Sequence, residues 1–409
     1  MDARRTGMAA LATVAVIGTL AGCGGSDGGS SGGGGGGDGA PLKIALVTPG
    51  SGALAVFGKD AARGWQLAAD EVNAKGGVDG HKVQLIQSDT DGTPPKTVAA
   101  VRKAVSQDGA HYVSAVFTSP ENGAIQAQLK GLNAISINAI AQDETLNGKG
   151  CVANAFRLVQ SAPMNSKAIG AALPKLPAKK WAILAADYNT GRGAAAGFKQ
   201  AVEASGGSVV SEQFSPLGTT EYGSYIAKLK KSGADGLFMY VIGSDAPAFI
   251  NQGTQFKLFD QFKTVLGQNV VSEPLFKAIG DQAVGFYNNL GYTWSLPTPR
   301  NQAFVKAYEA KFGAKPYYVP ADNYVGALAL FDAVRKAKSV EPAAVQKALS
   351  GLTFESLDGQ ATIRPGDNQV LRKNYVGQVV KKDGKIGWKI VSESGPEVTT
   401  PQADPSCKL

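Results

Sequence analysis

The chain has 409 residues, of which 44% are hydrophobic and 18% charged, and its formal net charge is +8. The positive charges are scattered, with no long Lys/Arg run and no aromatic interleaving. That argues against a nucleic-acid partner and fits solubility or attraction to an anionic surface. Only two histidines occur, His81 and His111, neither in a metal-spaced pattern; H-E-x-x-H and C-x-x-C are absent, and G-x-S-x-G occurs only within the Gly/Ser run at 24–33, with no strand or helix signal around it, so no metal site, cofactor or hydrolytic motif is expected.

At the N-terminus Arg4 and Arg5 precede an apolar run, "MAALATVAVIGTLAG" at 8–22. It has the proportions of a signal-peptide h-region and falls short of a membrane span. It closes on Leu20-Ala21-Gly22-Cys23, which resembles the bacterial lipobox L-[AS]-[GA]-C. The resemblance implies cleavage before Cys23 and lipidation of its thiol; the alternative is an ordinary signal peptide with a chance cysteine. Residues 24–40, "GGSDGGSSGGGGGGDGA", offer no apolar surface to repay ordering and read as a flexible tether with an end-to-end distance of roughly 20–25 Å. Residues 1–22 are thus expected to be the signal sequence and 23–40 a lipidated cysteine with its leash.

From Pro41 onward 369 residues remain, more than a single core of about 250–300 residues holds, so two domains are expected. Strand and helix alternate: strands at 43–47, 82–86, 112–117 and 134–137, helices at 59–75, 95–107 and 121–132. The first helix carries Ala61, Trp65, Ala68 and Val72 on one stripe and stops at Gly76-Gly77. After "CVANAFRLVQSAP" the alternation restarts, with strands at 181–185, 208–214, 236–241 and 261–266 and helices at 192–205, 222–232 and 274–279. Helices at 301–312, 322–338 and 343–350 follow. Two last strands, 374–381 and 386–391, are joined through Asp383-Gly384, a strong hairpin signal. Repeated βαβ units mean parallel sheets covered by helices. Cys151 and Cys407 are left as an even pair, expected to form a disulfide in an exported chain or else to stay as two buried thiols.

The loop "TPGSGALAVFG" tests one enzymatic reading. Gly50, Gly52 and Ala55 fit the dinucleotide fingerprint G-x-G-x-x-G/A. The ribose acid should then close the second strand about 20 residues on. At that distance stand Asp70 and Glu71, both mid-helix, while the second strand ends near Asp89. The first helix is also expected to be delayed by "ALAVFG". The spacing therefore excludes the nucleotide.

The same region resembles the leucine/isoleucine/valine-type solute-binding proteins that serve ABC importers of branched-chain amino acids, amides and related molecules. The matching signals are G-x-x-x-x-x-G before a helix, D-E-x-N-A-x-G-G-V at its end, and D-x-x-x-x-P with a valine-rich helix after it. "CVANAFRL", the loop around Ala141, "DYNTGRG" and "TIRPGDNQVLRKNYVGQVV" follow in order. The resemblance runs from Pro41 to about Val391. It implies an α/β, two-lobed type I periplasmic-binding-protein fold, each lobe a parallel sheet with helices on both faces, crossed three times at a hinge. Lobe 1 would take 41–160 and 291–352, lobe 2 161–290 and 353–391, and 392–409 would be a C-terminal tail. Ligands would bind beyond the carboxyl ends of the strands, and hinge closure would grip them.

What the resemblance implies for the site is read residue by residue. In "VFTSPENGAIQAQL", Ser119 is expected as an N-cap with Pro120 at the first helical position, so that free N–H groups face the cleft as a seat for a carboxylate. Thr118 and Ser119 match the family's carboxylate loop. Phe57 matches an aromatic that covers the ligand, or is a core residue beneath the loop. Ile140, Ala141 and Gln142 match a second loop, where Gln142 departs from the usual small residues. On lobe 2, Tyr188 and Thr190 stand in a strand-to-helix loop, with Thr190 in place of a frequent aromatic. Asn269 replaces an acid that commonly meets the ligand ammonium, and an amide cannot supply that charge pair; Asp187 or Asp245 are possible substitutes. Of Tyr292, Trp294, Tyr317, Tyr318 and Tyr324, Tyr324 is the first to test.

The resulting expectation is an extracytoplasmic, lipid-anchored, monomeric protein that captures a small carboxylate-bearing solute and passes it unreacted to an ABC permease and ATPase. Two alternatives stay open: a ligand-sensing lipoprotein reporting to a membrane receptor, and an exported hydrolase on a two-lobed scaffold.

Overall fold

The computed structural model describes residues 39–409. The expected signal sequence, Cys23 and the tether up to residue 38 lie outside the described residues. Gly39 and Ala40, expected in the tether, already belong to the first strand.

In chain order the first lobe begins with β1 Gly39–Pro49, α1 Ala55–Asn73, β2 His81–Thr90, α2 Pro94–Ser106, β3 Tyr112–Ser114, α3 Ser119–Leu129, β4 Ile135–Asn138 and β5 Ala155–Arg157. The second lobe follows with α4 Ala162–Ala172, β6 Lys180–Ala186, α5 Asn189–Ala204, β7 Ser208–Ser215, α6 Gly223–Lys230, β8 Gly236–Tyr240, α7 Asp245–Gln255, β9 Thr264–Gln268, α8 Glu273–Ile279 and β10 Tyr287–Leu290. The chain then returns with α9 Pro299–Phe312, α10 Tyr318–Ala337, α11 Pro342–Leu349, β11 Thr353–Ser356, β12 Gly359–Arg364 and β13 Gln369–Leu371, and ends with β14 Asn374–Lys382, β15 Lys385–Ser394 and α12 Pro396–Thr399.

Two sheets result, ordered β11-β12-β13-β5-β4-β3-β1-β2 and β15-β14-β10-β9-β8-β6-β7. β1 shows why the first sheet is covered on both faces. Ile44 and Leu46 pack with Trp65 and α10, while Ala45 and Val47 point the other way into Val101, Val105, Ile125 and Leu129. A strand buried on both sides reads as a continuous apolar run, as in "KIALV". Trp65 Nε1 donates to Ser114 Oγ (3.0 Å) and Asn323 Oδ1 (3.1 Å), pinning α1, β3 and α10 together. The Asp383-Gly384 hairpin forms as expected, with positive φ at both residues (50° and 73°).

Two expectations are corrected. Residues 353–371 were placed in lobe 2, yet β11, β12 and β13 hydrogen-bond into the first sheet, with β13 parallel to β5. The crossing therefore falls between Leu371 and Asn374. And α1 begins at Ala55, after one short 3-10 turn over Gly52–Leu54, so "ALAVFG" does not delay it.

Three segments cross between the lobes, at 158–161, 291–298 and 372–373. Gln160 binds them together, its Nε2 donating to Gly291 O (3.4 Å) and Lys373 O (2.8 Å). Beside them Arg372, 1% exposed, donates to Asp322 (2.6 Å) and Asp358 (3.2 Å). The residues after β15 also return: α12 packs on α4, Pro401 O accepts from Arg364 (2.8 Å), and Cys407 is bonded to Cys151 (Cα–Cα 5.5 Å). The bridge closes a loop of 256 residues and covalently ties the chain that leaves lobe 2 to lobe 1. Replacing Cys151 and Cys407 together by Ser is expected to cost about 2–5 kcal/mol of unfolding free energy, read from urea titrations with and without reductant. Equal midpoints would show that the bridge contributes nothing.

Candidate functional site

The candidate residues, Tyr324 excepted, sit where parallel strands end. Phe57 follows β1, Thr118 and Ser119 follow β3, and Ile140 to Gln142 follow β4. Tyr188 and Thr190 follow β6, and Asn269 follows β9. These are the carboxyl ends, where open α/β sheets hold ligands. The two lobes meet there: Asn269 Nδ2 donates to Gln142 Oε1 across the interface (2.8 Å). Asn269 has φ 57°, a left-handed turn that Asn tolerates well.

A cavity of about 220 Å³ lies at this junction, lined by Asp143, Glu144 and Thr145 from lobe 1 and by Asn189, Thr190 and Arg192 from lobe 2. A larger cleft of about 310 Å³, lined by Phe259, Lys263, Val284 and Phe286 among others, opens at the opposite end of the second sheet, where β9 and β10 begin. No candidate residue faces it. A parallel sheet directs its strand-end loops the other way, so the candidate site lies where those loops converge; the smaller cavity adjoins it, with Thr190 the one candidate residue in its lining.

The β3–α3 loop differs from expectation. Thr118, and not Ser119, is the N-cap, in a reciprocal capping box with Glu121. Both the hydroxyl (2.7 Å) and the backbone N–H (2.9 Å) of Thr118 donate to Glu121 Oε2, while Thr97 (2.6 Å) and Thr90 (3.3 Å) donate to Oε1. The buried carboxylate of Glu121 therefore fills the anion seat at this helix start. Pro120 has no N–H to offer. Ser119, half-buried at the first helical position, is what this loop has left for a ligand.

Likewise the N–H groups of Ile140 and Ala141 are both taken by Asn138 Oδ1 (3.1 and 2.8 Å). In that loop Gln142 reaches the other lobe, through its side chain to Asn269 and through its backbone carbonyl to Ala162 N–H (2.9 Å). Phe57 stacks on Phe117 (centroids 5.3 Å apart) and is half-buried. Tyr188 Oη meets Tyr240 Oη (3.4 Å). Tyr324 is corrected: it is buried in lobe 1, its ring 4.5 Å from Phe304 and its hydroxyl on Glu71 of α1 (2.6 Å), so it serves packing.

Two further residues stand near the interface: Tyr318, one of the aromatics expected near helix starts, and Glu273, which nothing in the sequence singles out. Tyr318 keeps its proton through burial first and then through the acidic groups around it, Asp322 on its own helix and Tyr188 and Glu273 on lobe 2. Glu273, four residues after Asn269, is an acid at the start of α8. Its Oε1 accepts from Trp388 Nε1 (3.1 Å), and burial pushes its carboxyl up to about 7. The only local signal, an acid beside Pro274 at a helix start, reads as ordinary capping.

A family profile described as periplasmic binding protein matches residues 41–385. The chain belongs to the periplasmic binding protein family. Leu/Ile/Val-binding protein homolog 7 of Brucella suis biovar 1 (strain 1330) is 27% identical over 368 residues, covering 85% of this chain and 90% of the relative. An amino acid ABC transporter substrate-binding protein from Pseudomonas fluorescens Pf-5 superposes with a TM-score of 0.81 at 25% identity, covering 90% of this chain and 99% of that one. A solute-binding protein of Rhodopseudomonas palustris BisB5, in complex with 3,4-dihydroxybenzoic acid, shares the fold with a TM-score of 0.80 at 24% identity, covering 87% and 98%. Among the described residues of this periplasmic binding protein no cluster of His, Cys, Asp and Glu has metal-holding geometry, and no helix is long and apolar enough to cross a membrane.

Glu273 gives this binding protein a pH signature. The folded carboxyl keeps its proton to about pH 7, against an ordinary value of 4.5. The folded state thus binds more protons between those limits. The stability this contributes is complete below about 4.5 and is lost as pH rises through about 7. Glu273→Gln should flatten the decline in melting temperature over that window, by about 1–3 kcal/mol at its upper end. A wild-type profile already flat there would contradict the assignment.

Proposed function

We propose that this chain is the extracytoplasmic solute-binding component of an ABC importer, held to the outer face of the membrane by a lipid on Cys23. It captures a small carboxylate-bearing solute, an amino acid, an amide-like compound or an aromatic acid, and hands it unreacted to a permease and its ATPase. The observation that carries the reading is the contact between Gln142 and Asn269, where strand-end loops of both lobes converge beside a solute-sized cavity. A ligand touching both loops has the differential affinity that drives hinge closure. The lipid anchor and the monomeric state rest on the lipobox-like Leu20-Ala21-Gly22-Cys23 and on family resemblance.

Phe57, Tyr188, Tyr240 and Tyr318 supply the apolar walls in this reading, Ser119 and Gln142 the donors, and Glu273 the acid. Glu273 divides the ligand classes. An ammonium-bearing amino acid placed against it lowers its pKa and expels its proton on binding, whereas an aromatic acid does not.

The test is a thermal-shift panel of L-leucine, other amino acids, acetamide, benzoate and 4-hydroxybenzoate, followed by calorimetry in two buffers of different ionisation enthalpy near pH 6.5. One class should stabilise the protein, by about 2.7 kcal/mol at a hundredfold excess over Kd, and be recovered unchanged. Chemical turnover of the ligand, or stabilisation by none of these compounds, would sink the reading.

A further inference from the structure

The crossing segments and the cleft are joined by a chain of side-chain amides whose polarity is fixed from one end. At the start of β14 the backbone N–H of Tyr375 donates to Asn374 Oδ1 (2.9 Å), which Asn289 Nδ2 also approaches (2.7 Å). A backbone N–H cannot reverse its role. Asn374 must therefore use Oδ1 there and point Nδ2 at Asn165 Oδ1 on α4 (2.8 Å). Asn165 must in turn donate, and its Nδ2 meets Gln142 Oε1 (2.9 Å). Asn269 Nδ2 approaches the same oxygen from lobe 2 (2.8 Å). The carbonyl end of Gln142 is thus filled by two donors, and its Nε2 has no partner among the described residues.

The rest of Gln142 is held as well. Its backbone carbonyl accepts from Ala162 N (2.9 Å), and Ala162 and the next residue, Asp143, both line the 220 Å³ cavity. The side chain is 9% exposed. That N–H₂ has no protein acceptor and is not shut off from solvent, so water serves it until an acceptor on a ligand takes the water's place, and the atom left over is the atom that selects.

We infer that Gln142 is the specificity-determining residue of the cleft, with Asn165 and Asn374 as positioning residues. Their fixed polarity makes Gln142 offer N–H and withhold C=O, so the site takes an acceptor group such as a carboxylate at that point and refuses a cationic donor. This rests on the solute-binding reading above and narrows it: the carboxylate of the solute lies against Gln142, and Thr118 does not hold it.

Asn374→Asp tests the chain two side chains away from the ligand. A carboxylate at 374 still accepts from Tyr375 N–H but has no donor for Asn165. Asn165 then turns over to donate to it, and Gln142 turns over in response, together with Asn269, whose Nδ2 also meets the Gln142 carbonyl; Gln142 then presents its carbonyl to the cleft. Asn289→Ala is the control, since it removes the other donor on Asn374 Oδ1 while Tyr375 N–H still orients Asn374. The probes are benzoate and benzamidine, similar in shape and opposite in hydrogen-bonding sense. Wild type should prefer benzoate, Asn374→Asp should shift the ratio of the two Kd values at least tenfold toward benzamidine, and Asn289→Ala should leave the ratio within about twofold of wild type. Equal shifts in both variants, no shift in Asn374→Asp, or a wild-type preference for benzamidine would overturn the inference. Side-chain amide exchange by NMR in the ligand-free wild type decides it without either variant. Gln142 Nε2 protons should exchange faster than the Nδ2 protons of Asn165 and Asn374, and the reverse order would overturn it. Failure of the wild type to bind either probe counts against the carboxylate-solute reading, while the exchange order still decides the polarity.

Discussion

The arrangement depends on how three crossing segments are held side by side. Gln160 reaches from the first to the carbonyls of Gly291 and Lys373 on the other two, and Arg372 anchors the third to Asp322 and Asp358. A buried arginine flanked by two carboxylates is weak evidence for stability, since desolvating the charges offsets much of their attraction. Its effect here is geometric. The crossing segments keep the carboxyl ends of two separate sheets opposed, which turns two ordinary strand-end edges into the walls of one cleft. The Cys151–Cys407 bridge adds a covalent tie between the same two bodies.

Within that frame, the protein's own groups satisfy most of the polar atoms that a first inspection would give to a ligand. Glu121 fills the helix start at Thr118, Asn138 takes the N–H groups of Ile140 and Ala141, and the Gln142 carbonyl is held by Asn165 and Asn269. This is the expected economy of a buried site, where an unpaired donor costs more than a missing one. What is left over is short: Ser119, the Gln142 amide, Glu273 and a set of aromatic rings. That residue set favours a small solute with an acceptor group over a nucleotide or a peptide.

Much of the fold was legible because its signals are local. The apolar run of β1, the Ala61–Trp65–Ala68 stripe of α1 and the Asp383-Gly384 turn each carry their own pattern. What escaped was set by tertiary context. β5 and β13 are three residues long, and β10 reads "YNNL", where the Asn288 side chain and the Asn289 Nδ2 find partners only in the folded structure. The 353–371 segment went to the wrong lobe because a short strand does not reveal which sheet edge it joins. At the site, positions after strand ends could be found from spacing and resemblance. The availability of their hydrogen bonds could not, since that depends on partners such as Thr97, Asn138 and Asn165, distant in sequence or unremarkable within it. Tyr324 misled for the same reason: an aromatic near a helix start looks alike whether it faces a cleft or a neighbouring helix.

The central claim is that one small solute bridges the strand-end loops of both lobes. Hydrogen–deuterium exchange in the absence and presence of the solute that stabilises the protein tests it most directly. The account predicts protection at 115–119 and 139–143 on lobe 1 together with 187–190 and 269–273 on lobe 2. Protection confined to one lobe, or centred on the Phe259–Phe286 cleft at the far end of the second sheet, would contradict it.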